Sequence, residues 1–193
     1  MKTFRVLAVL LIVAFLSACA QTGQSLRLSP EPPATGPAVG LATDIGLRVV
    51  DTREQTATLG TQQTVQGEVF PLTASQALPY VVQLAAAEAL RGYGLDATIW
   101  TENQTPRIEI QIDQLQHEVR AGIPWQLDTE ITLRAVAYAN GERLTTRAHT
   151  TLTNQRATPP SATANAVIID EAITRALGQL LNEELARFLA GEM

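Results

Sequence analysis

The chain of 193 residues is almost without lysine: Lys2 is the only one, and 14 basic residues stand against 19 acidic ones for a formal net charge of −5. Nucleic-acid binding needs a concentrated field of Lys and Arg against phosphate, so that class is set aside. Charged residues make up only 17% of the chain, and no run of like charge exceeds two residues, so a polybasic membrane-binding segment and a charged disordered tail are both missing. Cysteine occurs once, at Cys19, which excludes a disulfide framework. Histidine occurs twice, at His117 and His149, without the spacing of a zinc motif, so no metal site or cofactor is expected. Gly-x-Ser-x-Gly, Gly-x-Gly-x-x-Gly and the Walker pattern are absent too, and Gly92-Tyr93-Gly94 follows a helical stretch where phosphate binding needs a loop that precedes one. What remains is 46% hydrophobic, enough for one sizeable core.

The amino terminus carries the most specific signal. Lys2 and Arg5 precede an unbroken apolar run from Val6 to Leu16, and Ser17-Ala18-Cys19 follows. A positive start, a short apolar stretch and a small-residue end are the parts of an export signal, and the run is shorter than the roughly 20 residues that cross a bilayer. Leu16-Ser17-Ala18-Cys19 is similar to a bacterial lipobox, which predicts cleavage between Ala18 and Cys19 and acylation (palmitate or a similar chain) of Cys19. Several acyl chains anchor stably where one does not, so the expected attachment to the membrane is through acylated Cys19. Ala20 rather than Asp after the cysteine implies transfer to the outer membrane, with the domain facing the periplasm.

Three segments follow: a signal peptide over 1–18, a lipidated Cys19 with a flexible Pro/Gly/Ser/Thr tether over 19–38, and a single periplasmic domain over 39–193. The tether centres on Pro30-Glu31-Pro32-Pro33, and if flexible it would reach about 25 Å. Within it Leu26-Arg27-Leu28 alternates like a short strand that docks on the domain edge.

In the domain, period-two patterns predict strands over 39–50, 65–72, 95–101, 107–120, 125–139 and 142–155, with 55–63 a polar loop. The apolar parity of 107–120 changes after Ile112, which calls for a bulge near Asp113-Gln114 and turns His117 to the apolar side. Asn140-Gly141 predicts a type I′ hairpin. Two amphipathic helices are expected: one capped by Ser75 with Pro79 near its first turn, the other capped by Ser161 or Thr163 and running to about Leu189, with Glu184 inside its apolar stripe so that the last turn projects past the core edge. Together these give an α+β two-layer sandwich: a mainly antiparallel sheet with a C-terminal three-strand meander, and two helices packed on one face.

The order of parts resembles the YajG family of bacterial lipoproteins. The resemblance is carried by Leu26-Arg27-Leu28-Ser29-Pro30, Val49-Val50-Asp51-Thr52-Arg53, Leu59-Gly60, Leu72-Thr73 with Ser75, and Arg91-Gly92-Tyr93, in that order behind the lipobox. It implies a lipid-anchored envelope protein and supplies no catalytic residue.

The residues themselves point to no enzyme. Asp128 with Glu130, and Glu109 with Asp113, share strand faces as any alternating polar positions do, and no apolar setting raises one carboxyl for acid catalysis. Asp51 and Arg53, two apart at a strand end, read either as an exposed binding corner or as an ion pair that organises the following loop. Trp100, Trp125, Tyr93 and Tyr138 are candidates for an aromatic platform, with Tyr138 and Val136 on the helix-free face. The expectation is a non-enzymatic outer-membrane lipoprotein that binds another envelope component as an accessory or scaffold through Asp51, Arg53 or Tyr138. The alternatives are a peptidoglycan- or glycan-binding module and an assembly factor for an outer-membrane β-barrel complex.

Overall fold

The computed structural model describes residues 23–39 and 43–192. The signal segment, Ala18 and Cys19 lie outside the described residues. Within them run β1 (Gln24–Leu26), β2 (Thr43–Asp51), β3 (Gly60–Gln63), β4 (Val69–Ala74), α1 (Leu78–Gly92), β5 (Leu95–Ile99), β6 (Arg107–Arg120), β7 (Trp125–Ala139), β8 (Glu142–Arg156), α2 (Ala162–Leu180) and α3 (Glu183–Ala190). No helix among the described residues is long and apolar enough to cross a membrane.

The fold is α+β, but the sheet is neither mainly antiparallel nor a flat layer of a sandwich. Its eight strands form one mixed, curled sheet. The meander β6–β7–β8 is antiparallel as expected, whereas β1–β4, β2–β5, β2–β6 and β3–β6 are parallel. Strand periodicity carries no information on pairing direction. That direction is set by connections: the chain leaves β2, makes the β3–β4 hairpin and α1, and returns in β5 beside β2, a crossover long enough to bring it back parallel. Gly60–Gln63, expected as loop, is strand β3; its half-exposed polar residues give no apolar alternation to read.

β6 organises the sheet. Its one edge is filled by β7 along its whole length, and its other edge is shared, with β2 beside residues 107–112 and β3 beside 117–119. Between these two partners the predicted bulge is present, where the register shifts between Ile112 and Gln114. The extra residue returns Leu115, His117 and Val119 to the face already taken by Ile108, Ile110 and Ile112, and all six are buried under the helices. Asn140 and Gly141 both have positive φ, 53° and 80°, as a type I′ turn requires.

Helix ends depart from the expected caps. α1 begins at Leu78 after Ala77, not at Ser75, because the Ser75 amide still donates to Leu26 O at 2.8 Å along the sheet edge. Pro79 then falls in the first turn, where its missing N–H is harmless. Ser161 caps α2 as expected, accepting from the Ala164 amide at 3.2 Å. The last helix is two: α2 ends at Leu180 and α3 restarts under an Asn182 cap. The last turn therefore does not project past the core edge as expected: the break re-phases the stripe so that Leu185, Ala186, Phe188 and Leu189 are buried while Glu184 points to water. Three helices therefore line one face.

The stretch read as a flexible tether is packed on the domain from β1 onward. Leu26 and Leu28 are buried, the Ser29 amide donates to Asp170 Oδ1 at 2.9 Å, and Thr174 Oγ1 donates to Glu31 O at 2.8 Å. The strap crosses two helix glycines that leave room for it: a Cβ at Gly178 would stand 3.1 Å from Pro33, and one at Gly92 would stand 2.4 Å from Thr35 Oγ1. The proline-rich composition describes an extended chain correctly, and two leucines plus backbone hydrogen bonds suffice to lay it down.

Under the helices lies one polar network. Asn165 Nδ2 donates to Gln24 Oε1 and Gln62 Oε1, both at 2.9 Å, which leaves Asn165 Oδ1 to accept from His117 Nε2 at 3.3 Å. His117 Nδ1 then accepts from Thr129 Oγ1 at 2.7 Å, so the ring is neutral and protonated on Nε2. Burial holds this imidazole below its ordinary value, against the raising influence of Asn165 and Asp128. A folded value below the unfolded one, near 6.5, means stability present above that pH and lost as pH falls, because the unfolded chain takes up the proton the core refuses. Urea unfolding should show this loss between about pH 6.5 and 5, and His117→Leu should flatten it while lowering stability at pH 7 by roughly 1–3 kcal/mol. An undiminished slope in that variant would assign the acid sensitivity elsewhere; the half-buried Asp170 carboxyl, pushed up mainly by loss of solvent, acts in the opposite sense, gaining stability as pH falls.

Candidate functional site

Asp51 and Arg53 meet at the end of β2, where β6 loses one partner and has not yet gained the next. Arg53 is buried, and its guanidinium is bidentate on Asp51, with Nε to Oδ1 and Nη2 to Oδ2 both at 2.8 Å. Nη1 donates to Thr58 O at 2.9 Å and Leu115 O at 3.4 Å, and Nη2 to Thr56 O at 3.3 Å. All five donors of the fork are thus engaged within the chain. Of the two readings of this pair, the loop-organising ion pair is the one the geometry has, and no donor is left for a ligand. On either side of the plug the Thr52 amide donates to Ile112 O at 3.1 Å and the His117 amide to Leu59 O at 2.9 Å, so the break in the β6 ladder is closed by backbone, side chain, then backbone.

A polar cleft of about 720 Å³ opens beside the plug, lined in part by Gln55, Asp113, Gln116 and Arg134. Arg134 is bidentate on Asp113, at 3.1 and 2.8 Å, and so pins the bulge residue on the open face. The cleft holds no histidine or cysteine, and among the described residues no group of three His, Cys, Asp or Glu is placed to hold a metal.

The second constellation lies on the helix-free face at the other end of β6. Tyr138 joins Trp100 there through arginines: Arg107 lies 4.5 Å from the Tyr138 ring centroid and 5.4 Å from that of Trp100, and Arg48 lies 4.2 Å over Trp100. Arg107 Nη1 is held by Glu102 O at 2.5 Å and Gln104 O at 2.9 Å. Arg48 binds Glu109, with Nε to Oε2 at 2.5 Å. Burial pushes the Glu109 carboxyl up, but hydrogen bonds from Gln111 and Arg48 and the charges of Arg48 and Arg134 outweigh it and hold the group below its ordinary value. Val136, expected on the exposed surface, is only 6% exposed and forms part of the lining of a small pocket of about 140 Å³ among these side chains. Trp125 and Tyr93 are buried in the core, so the four-ring platform reduces to Trp100 and Tyr138.

Sequence reasoning missed the arginines. Arg107, Arg143 and Arg147 all point to this face by strand parity, and none makes an ion pair among the described residues. Arg147 stands directly opposite Arg134 in the β7–β8 ladder, a like-charge pairing that a sheet ordinarily avoids. The parity was readable; the convergence of β5, β2, β6, β7 and β8 at one corner was not.

The plug gives a direct test. Arg53→Ala should cost about 3–5 kcal/mol, because it strands the Asp51 carboxylate and three carbonyls, and Arg53→Lys should recover only part, since an ammonium cannot be bidentate. Chemical denaturation reads both, and a change under 1 kcal/mol for Arg53→Ala would show that the loop closes without the plug.

The fold has relatives among solved structures. Protein XCC0632 from Xanthomonas campestris superposes with a TM-score of 0.54 at 11% identity, covering 88% of this chain and 97% of its own. PelC from Paraburkholderia phytofirmans, solved as a dodecamer, gives 0.39 at 14% identity over 78% of this chain and 95% of its own. No curated protein matches the chain. Residues 30–190 match the family described as uncharacterized lipoprotein (Lipoprotein_16), and with that coverage the chain belongs to it, the YajG-like lipoproteins its motifs resemble.

Proposed function

We propose that the protein is a non-enzymatic lipoprotein of the outer membrane, acylated on Cys19, whose periplasmic domain binds another envelope protein as an accessory subunit. Membership of a lipoprotein family and the Leu16–Cys19 sequence support the anchor. The observation that carries the binding role is the helix-free face around Trp100, Arg107 and Tyr138. An acidic chain places Arg107 and Arg143 there with no ion pair among the described residues, and farther along the same face it sets Arg147 opposite Arg134. Such an arrangement is poor for the isolated domain and favourable against an acidic partner surface. Arg and aromatic side chains are also the types that dominate interface energies. Anchoring both partners to one envelope raises their effective concentration, so a modest affinity is enough.

A wall-binding role through stacked sugars fits less well. Guanidinium groups already stand over the Trp100 and Tyr138 rings, where a pyranose would have to lie.

Replacement of Cys19 by Ser should move the folded protein from the membrane to the soluble periplasmic fraction, as read by fractionation and blotting; full membrane retention would remove the lipoprotein reading. A photoreactive residue in place of Tyr138 should give a discrete protein adduct in cells that Arg107→Ala reduces several-fold, while the same group at the exposed Val167 of α2 should not. Adducts to peptidoglycan, checked by sedimentation with purified sacculi, or equal adducts at both positions would overturn the accessory role.

A further inference from the structure

β1 fixes where the anchor leaves the domain. Its parallel register with β4, Gln24 opposite Leu72, points the amino end of β1 toward Val69 and the β3–β4 turn. β3 runs parallel to β6 with Gln62 opposite Val119, so the β6–β7 turn that follows Arg120 lies at that same end of the sheet. Two turns therefore lie at the end of the sheet where the chain leaves toward Cys19, both to one side of that exit because β1 is the edge strand. Both present aliphatic side chains to solvent: Val65 is 78% exposed, Val69 61%, and Ile123 fully so. The second turn, Ala121-Gly122-Ile123-Pro124, carries no charge, and Glu68 is the one charge in the first.

Chain length then decides how far these turns stand from the lipid. Gly23 is four residue steps from Cys19, and an extended chain covers at most about 3.6 Å per step, so the acylated residue lies within about 14 Å of Gly23. Gly23 lies against Pro71, and the β3–β4 turn projects beyond that level by about two to four residues, or roughly 7–13 Å at the rise of a strand. The headgroup layer on each side of a bilayer is about 5–8 Å deep. With acylated Cys19 at the hydrocarbon boundary, even a fully extended tether leaves the turns at most about 7 Å above it, a height within the headgroup layer.

We propose that this end of the domain, with Val65 and Val69 on one turn and Ile123 on the other, is seated in the interfacial layer of the bilayer that holds Cys19. The acyl chains supply attachment and the three aliphatic side chains fix orientation. The sheet then stands on the membrane by its turns and holds the Trp100–Arg107–Tyr138 patch at the far end of β6, about 40 Å away. The inference rests on acylation of Cys19.

Acylation leaves an introduced cysteine as the only free thiol in the full-length protein, which allows single-site labelling. Val65→Cys, Ile123→Cys and, at the opposite end, Ile99→Cys (87% exposed in the parent) are labelled with an environment-sensitive fluorophore. The full-length proteins, purified from the cells that make them, are reconstituted in phosphatidylethanolamine and phosphatidylglycerol vesicles with brominated acyl chains. The probes at 65 and 123 should be quenched by the bromolipid at least threefold more than the probe at 99, and shielded from aqueous iodide. Protein that floats with the vesicles while all three probes are equally open to iodide overturns the seating alone. Protein that does not float shows that Cys19 is not acylated, and overturns the lipoprotein reading with it. Shielding of 65 and 123 in cells but not in vesicles places a protein on this end, and also overturns the membrane seating.

Discussion

One extra residue in β6 governs what both faces of the sheet become. Without the bulge at Asp113, Leu115, His117 and Val119 would turn to water and the polar side chains between them would turn under the helices. The bulge also separates β6 into two lengths that need different neighbours on the same edge, β2 and then β3. An unpaired interval inside a sheet leaves carbonyls and amides without partners, which is unfavourable unless something else supplies them. Arg53 does so from the β2–β3 loop, with Asp51 neutralising its charge, while Arg134 holds Asp113 from the opposite face. The pair is strand repair in the form of a salt bridge, and this accounts for its burial.

The interior polar groups serve a related end. Asn165 on α2 joins β1, β3 and, through His117, β6 and β7, each partner using a group the others have left free. A fully satisfied network of this kind specifies one arrangement among several that an apolar core would tolerate. Its most consequential member is Gln24, because that contact holds the first strand, and so the exit toward the lipid, in a fixed place on the domain.

Much of this was legible in the sequence. The meander, its Asn140-Gly141 turn and the bulge are local patterns of parity and turn chemistry, and they appear where the residues put them. β3 was invisible because Gly-Thr-Gln-Gln has no apolar member, and the parallel pairings because direction lies in connections rather than in strands. The segment before residue 39 was legible in part: Leu26-Arg27-Leu28 docks on the sheet edge as its alternation suggests, while composition measures how readily a segment folds alone and cannot show that residues 29–35 pack against helices far along the chain. Gly92 and Gly178 are the trace of that contact in the sequence, but an isolated glycine in a helix says only that something is close. For the site, Tyr138 lies on the open face where its parity puts it, while Asp51 and Arg53, expected as candidate binding residues or as an ion pair, bond to each other, and the burial that decides between binding and bracing is a tertiary property.

The strap also sets a clock on folding. Strands β6 to β8 follow one another through short turns and can pair as soon as they are made, but β1 and residues 29–35 contact Pro160, Asp170, Thr174 and Gly178 near the opposite terminus. Closing a loop of that length precedes any reward from it. The amino-terminal strand and strap of the domain therefore stay without their partners until nearly the whole domain has formed, and the fold closes over them only on completion.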